Sequence, residues 1–169
     1  MRLLLMRHAK TESPKDGHDF ERLLTEHGKL EAAEAAEFLN RHQIDKILVS
    51  YAKRTMQTSK IIEERVTPAE SEIVTELYQG DIDMVINLLC EQEDRNKHIL
   101  VIGHNPLIYD VALTLANHDS DEYELLRSSM MPTGRIIILD FPEMHNWREL
   151  HASKGNILEI FTPKSMISD

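Results

Sequence analysis

Residues 2–11 read Arg2-Leu3-Leu4-Leu5-Met6-Arg7-His8-Ala9-Lys10-Thr11. The apolar run Leu3-Leu4-Leu5-Met6 has no polar alternation, which suits a strand buried on both faces of a sheet. It stops abruptly at Arg7-His8, with Lys10 and Thr11 just beyond. A guanidinium, an imidazole and further donors therefore stand where a central strand ends. In open α/β sheets that carboxyl end is where ligands bind. Taken alone, an Arg-His pair is also what an ordinary polar loop carries, so its meaning depends on what the other strand ends supply.

The 169 residues fit a single domain, 1–169, with a full hydrophobic core. Apolar content of 41% and charged content of 28% are those of an ordinary globular protein. A net charge of −10 repels nucleic acid and anionic membranes, so neither is an expected partner. The one cysteine, Cys90, excludes an internal disulfide and agrees with a reducing compartment; it follows an apolar run and reads as a core thiol. The run at residues 3–6 is too short for a signal sequence and no run reaches membrane-spanning length, so a cytoplasmic protein is expected.

Along the chain, residues 12–22 form a charged loop containing Pro14 and Gly17. Thr25 is placed to cap a helix to His42, with Gly28 in its first turn and Leu30, Ala33, Ala36, Phe38 and Leu39 at helical spacing. Residues 44–49 form a second strand that Ser50 closes. A second helix is expected at 52–65, with Met56, Ile61 and Ile62 inward. Ile73-Val74 is a short third strand, followed by Glu76. Residues 81–90 form a third helix with Ile82, Val85, Ile86 and Leu89 on one face. Residues 98–102 are a β-branched strand ending in Gly103-His104-Asn105-Pro106, and a helix follows to residue 116. Residues 117–129 are expected to cross the surface as a polar stretch. Residues 135–140 and 147–151 are expected to pair as closing antiparallel strands, with a tail from Ser153 that packs through Ile157, Leu158, Ile160 and Phe161. Strands alternating with helices predict an α/β three-layer sandwich: a mostly parallel central sheet, an antiparallel edge strand, and helices on both faces.

Four strand ends carry polar chemistry: Arg7-His8, Ser50 with Arg54 one helical turn on, Glu76, and His104. A parallel sheet puts these ends on one edge. Two imidazoles and two guanidiniums would then share a pocket in an otherwise acidic protein. Phosphoryl transfer wants this set: forked guanidinium donors match phosphate oxygens, and a neutral histidine can attack phosphorus. Each residue has an ordinary alternative, Arg54 as an exposed helix cation, Glu76 as a surface carboxylate, His104 as a turn residue; four polar strand ends together are harder to dismiss. The other histidines read as solvated or capping. There is no Gly-rich phosphate loop, nucleophile elbow or EF-hand loop, and no metal or cofactor is expected.

Leu5-Met6-Arg7-His8-Ala9-Lys10 resembles the Arg-His-Gly/Ala motif of the histidine phosphatase (phosphoglycerate mutase-like) superfamily. Ser50 to Thr58 resembles its Ser-x-x-x-Arg-x-x-x-Thr segment, and Val101-Ile102-Gly103-His104-Asn105-Pro106 its second-histidine segment. Arg22-Leu23-Leu24-Thr25-Glu26-His27-Gly28 is similar to the Arg-Pro-Leu-Thr-x-x-Gly stretch of the small SixA-type phosphohistidine phosphatases. The resemblance implies a metal-independent enzyme with His8 as nucleophile, and Arg7, Arg54 and His104 as the groups that bind the phosphoryl group. A nucleophilic His8 needs its other ring nitrogen protonated and an acceptor for that proton, for which a backbone carbonyl of the neighbouring loop is the expected group.

Two departures bear on the substrate. Where one branch of the superfamily carries an acid directly after the second histidine, this chain has Asn105. In another branch a glutamate follows the third strand; Glu76 is the candidate general acid, although its local sequence matches poorly. The chain also lacks the insertions that roof the mutase site, so an open site is expected. A missing acid and a missing lid both point to a phosphorylated protein such as a histidine phosphotransfer domain, because a protonated imidazole leaves without further acid help. The alternatives are a small-molecule phosphomonoesterase using Glu76, and a catalytically silent phosphate-binding module.

Overall fold

Residues Arg2–Arg7 form strand β1, and its apolar run is buried on both sides as expected. Leu3 and Leu5 face one hydrophobic cluster and Leu4 and Met6 the other, which is why the run shows no alternation. The structure, a computed structural model, describes residues 1–13, 19–151 and 154–167; the predicted loop positions Pro14 and Gly17, and Ser153, lie outside the described residues.

The strands that follow are β2 (Lys46–Ser50), β3 (Glu70–Val74), β4 (His98–Gly103), β5 (Ile136–Asp140) and β6 (Asn156–Phe161). The helices are α1 (Glu26–Leu39), α2 (Lys53–Glu63), the short α3 (Glu76–Gln79), α4 (Ile82–Cys90), α5 (Leu107–Leu115) and α6 (Asp121–Ser128). All six strands form one sheet in the order β3-β2-β4-β1-β5-β6. Strands β3, β2, β4 and β1 run parallel, while β5 is antiparallel to β1 and to β6. Helices α1 and α2 cover one face through Ala35, Ala36, Phe38, Leu39 and Ile62. Residues of α4, α5 and α6 cover the other, with Val85, Leu89, Ile108, Val111, Leu115 and Leu126. This is the three-layer α/β sandwich with an antiparallel edge.

Thr25 caps α1, its hydroxyl accepting the backbone N–H of Gly28 at 3.0 Å. Gly28 is there because the loop after β1 presses on the helix: a Cβ at this position would lie 1.9 Å from the carbonyl oxygen of Lys10. The helix ends at Leu39 rather than His42. Three other expectations are corrected. Residues 117–129 are not merely a polar crossing: Ser120 caps α6, which buries Leu126. Strand β3 is longer than Ile73-Val74, and as an edge strand it buries only Val74. The strand that pairs with β5 is β6, not residues 147–151. Trp147 instead opens a 3-10 turn and is fully buried, its indole N–H donating to the carbonyl of Asn96 at 2.7 Å and its backbone N–H to Asp94 at 2.9 Å. A buried indole needs such an acceptor, and reaching it takes the segment out of the sheet. No helix among the described residues is long and apolar enough to cross a membrane.

Candidate active site

Strands β2, β4 and β1 are parallel neighbours, so their carboxyl ends lie side by side. Arg7 pairs in register with Gly103, placing His8 beside His104, and Ser50 ends the adjacent strand. The loop after β1 is clamped from two sides. The His8 N–H donates to the carbonyl of Gly103 at 3.0 Å, and the Gly134 N–H approaches the carbonyls of Arg7 (3.2 Å) and His8 (3.1 Å). Gly134 adopts φ of 72°, a left-handed conformation that favours glycine. Further in, Ala9 donates its N–H to the Thr58 hydroxyl at 3.2 Å.

The His8 and His104 rings lie 5.3 Å apart between centroids. Nδ1 of His8 is 2.8 Å from the carbonyl oxygen of Ala9. A carbonyl only accepts, so Nδ1 carries the proton and Nε2 holds the free lone pair. His8 is 6% exposed. Burial above all, against the upward pull of the Ala9 carbonyl and helped by His104, Arg54 and Arg7, lowers its pKa to about 3. The imidazole is therefore neutral, the form that can attack an electrophile.

His104 sits in a relay. Its Nδ1 accepts from Nε of Arg54 at 3.2 Å, and since a guanidinium has only donors, the ring proton is on Nε2 and is shared with the Ser50 hydroxyl at 2.7 Å. Burial, then the Arg54 charge, lower its pKa to about 4, with Asp19 pulling the other way. Tyr78 stands edge-on to the same ring at 5.4 Å. Arg54 is 5% exposed although its residue type and helix position would leave it in solvent. Its Nη1 donates to the Asp19 carbonyl at 2.6 Å and its Nη2 to the Asp19 carboxylate at 2.9 Å. The segment at Asp19 thus covers Arg54, and this side of the site is less open than the shortness of the chain implied.

Arg7 donates through Nη1 to the carbonyl of Met131 at 2.8 Å, while its Nε is buried with no partner. Burial lowers its pKa from the ordinary guanidinium value, partly offset by Glu31, yet an arginine keeps its charge in proteins. The Asn105 amide also donates to the Met131 carbonyl, at 3.0 Å, and its Oδ1 is buried without a partner.

Of the residues singled out in the sequence, Arg7, His8, Ser50, Arg54 and His104 come together, and Glu76 does not. Glu76 opens α3 and is exposed, its carboxyl accepting from the Thr75 hydroxyl at 3.0 Å. The same short helix turns Tyr78 towards His104, and residues two apart on a helix point to opposite sides. Sequence reasoning missed Asp19, Tyr78 and Glu31. Glu31 is fully buried and ties two loops of the site together, accepting from the Lys10 N–H at 2.7 Å and the Thr133 hydroxyl at 3.2 Å. It shares a helix face with Gly28 and Ala35, and a carboxyl on that inward face was the available signal. Nothing local marks Asp19 or Tyr78, which reach the site only through the fold.

The sequence profile of the histidine phosphatase superfamily (branch 1) matches residues 3–87. An uncharacterized protein of Mycobacterium leprae is 29% identical over 166 residues, covering 94% of this chain and 100% of its own. Among solved structures, a protein assigned as the phosphohistidine phosphatase SixA of Nakamurella multipartitia superposes with a TM-score of 0.82 at 25% identity, covering 96% of this chain and 95% of that one. The protein histidine phosphatase SixA complexed with tungstate superposes with a TM-score of 0.77 at 24% identity, covering 98% and 99%. The profile spans the first histidine, the capped helix and the arginine segment, and the sheet order carries the second histidine to the same edge. By sequence and by fold, this chain belongs to the histidine phosphatase superfamily, in its SixA-type branch.

Proposed function

We propose that this protein removes phosphate from phosphohistidine on another protein, such as a histidine phosphotransfer domain, by way of a phosphorylated His8. The observation that carries the proposal is the state of His8: buried, neutral, its Nδ1 proton given to the Ala9 carbonyl and its Nε2 lone pair free, beside Arg7, Arg54 and His104. The guanidiniums of Arg7 and Arg54, whose charges both act on His8 and His104, support an anion-binding role for the pocket.

In the first step Nε2 of His8 forms a bond to phosphorus while the substrate's P–N bond breaks, its electron pair going to the departing ring nitrogen. The other substrate nitrogen keeps its proton, so the ring leaves as neutral imidazole. In the second step water bonds to phosphorus, the pair of the P–Nε2 bond returns to His8, and the proton of water ends on the released phosphate. Neither step needs a metal, a cofactor or an external proton donor. Arg7 and Arg54 bind the phosphoryl oxygens and match the charge that spreads over them in the transition state. His104, held by Ser50, aims the Arg54 guanidinium and lines the site.

An alkyl ester makes the opposite demand, because its leaving oxygen needs a proton. Glu76 is exposed and turned to Thr75, and Asn105 follows the second histidine. Both features favour phosphohistidine over an ester. The half-buried, free Cys90 accords with a reducing, cytoplasmic setting. The test compares one peptide carrying phosphohistidine with the same peptide carrying phosphoserine. Turnover of the first at least a hundredfold above the second is expected; equal or reversed preference refutes the proposal.

A further inference from the structure

The carboxylate of Asp19 is the one acidic group among the described residues that touches the Arg54 side of the pocket. It accepts from Nη2 of Arg54 at 2.9 Å, from Nη1 of Arg22 at 3.0 Å and from the Tyr78 hydroxyl at 3.3 Å. Its side chain is 49% exposed, against 6% for that of Arg54. His8, 6% exposed, is buried, whereas Asp19 is half in solvent, so the carboxylate stands on the outer side of the site. Burial pulls the carboxyl upward, but the hydrogen bonds and charges of Arg22 and Arg54 outweigh it and hold it below the usual carboxylate range. At neutral pH it is an anion and has no proton to give.

Displacement at phosphorus is in line, so a buried nucleophile sends the leaving group outward, to the solvent side where Asp19 stands. A phosphate ester brings only negative charge and an oxygen that needs a proton. Phosphohistidine brings a ring whose second nitrogen is protonated before it leaves. An ionised carboxylate on the outer side suits the second and opposes the first. We infer that Asp19 is a specificity-determining residue, whose carboxylate accepts a hydrogen bond from the protonated imidazole of phosphohistidine and disfavours phosphate esters. The proton it holds stays on the departing ring, so the carboxylate is unchanged at the end of the step. This inference rests on the phosphohistidine reading above.

The groups that face Asp19 are Arg22 on its own segment, Arg54 on α2, Tyr78 on α3 and His104 after β4. Asp19→Asn keeps the shape and an acceptor oxygen while removing the charge. It should lower kcat/KM on the phosphohistidine peptide by about tenfold, the scale of the difference between a hydrogen bond to a charged and to a neutral acceptor. The alkaline limb of that activity should move to lower pH by about one unit, because the substrate ring loses its nearby anion. Inhibition by tungstate, a tetrahedral oxyanion used as the probe, should tighten severalfold, and turnover of the phosphoserine peptide should stay level or rise. Asp19→Glu should recover part of the phosphohistidine activity.

A parallel fall on both peptides with weaker tungstate inhibition would reduce Asp19 to a prop for Arg54 and overturn the inference. Loss of phosphoserine turnover alone would make it a general acid and also overturn it. Unchanged phosphohistidine kinetics in Asp19→Asn would overturn this inference and leave the proposed function standing. Absence of phosphohistidine turnover in the parent protein would remove both.

Discussion

Keeping His8 and His104 neutral makes the fold sensitive to acid, by an amount that follows from the structure. The His8 imidazole has a pKa of about 3 in the folded chain and about 6.5 once unfolded. Below that upper value the unfolded state binds a proton that the folded state refuses. Stability is therefore complete above about pH 6.5 and is lost as pH falls through the window down to about 3. From pH 7 to pH 5 the loss attached to His8 alone is about 2 kcal/mol. His104, lowered to about 4, adds a similar loss. Other groups titrate over the same range, so the diagnostic quantity is a difference: His8→Asn should lose about 2 kcal/mol less than the parent between the two pH values, whatever the substitution costs at either. The assay is urea unfolding followed through the one tryptophan, Trp147, which is fully buried. With a urea slope of roughly 1–3 kcal/mol per molar, the difference is a midpoint displacement of about 1 M. Identical acid losses in the two proteins would mean that His8 titrates as an ordinary solvated imidazole, and the case for a pre-formed neutral nucleophile would fall.

Three substitutions probe the rest of the site. Arg54→Ala should lower kcat/KM on phosphohistidine by roughly 10³-fold, and Arg54→Lys should recover little, since an ammonium cannot span His104 and Asp19 together; near-parental activity in the lysine variant, measured by steady-state kinetics, would contradict this. Glu76→Gln should stay within about threefold of the parent on phosphohistidine, whereas a general acid would cost about 10²–10⁴-fold on an ester; a loss of that size would restore the ester reading. Gly28→Ala should cost about 1–3 kcal/mol in urea unfolding, because its Cβ would meet the Lys10 carbonyl and push on the loop that carries His8; an unchanged midpoint would show that the loop yields freely.

Much of this arrangement is legible along the chain. The unalternating run of β1 announces a strand buried on both faces, and a parallel sheet then gathers Arg7, His8, Ser50 and His104 at one edge whatever the details of packing. Arg54 follows because it lies one helical turn beyond Ser50. What was not legible depends on contacts distant in sequence. Asp19 reaches Arg54 across 35 residues and Tyr78 across 59, through side chains whose types are common on any surface. The closing strand is not legible because β6 is an edge strand, paired on one side and largely exposed, so its pattern is weak. Trp147 and its neighbours look more strand-like, but the indole is drawn to the Asn96 carbonyl instead. Glu76 stands out by its place after β3, and only the facing of α3 shows that Tyr78, two residues on, is the one turned to His104.

The central claim, that His8 takes the phosphoryl group, is tested most directly by trapping it. The protein is mixed in excess with a domain carrying radiolabelled phosphohistidine, quenched within milliseconds to seconds in alkali, which preserves phosphohistidine, and digested for mapping. The account predicts label on the peptide that contains His8, appearing before free phosphate and decaying as phosphate is released, and no labelled peptide from His8→Asn. Phosphate released at the parental rate by His8→Asn, or label mapped to any other residue, would contradict it.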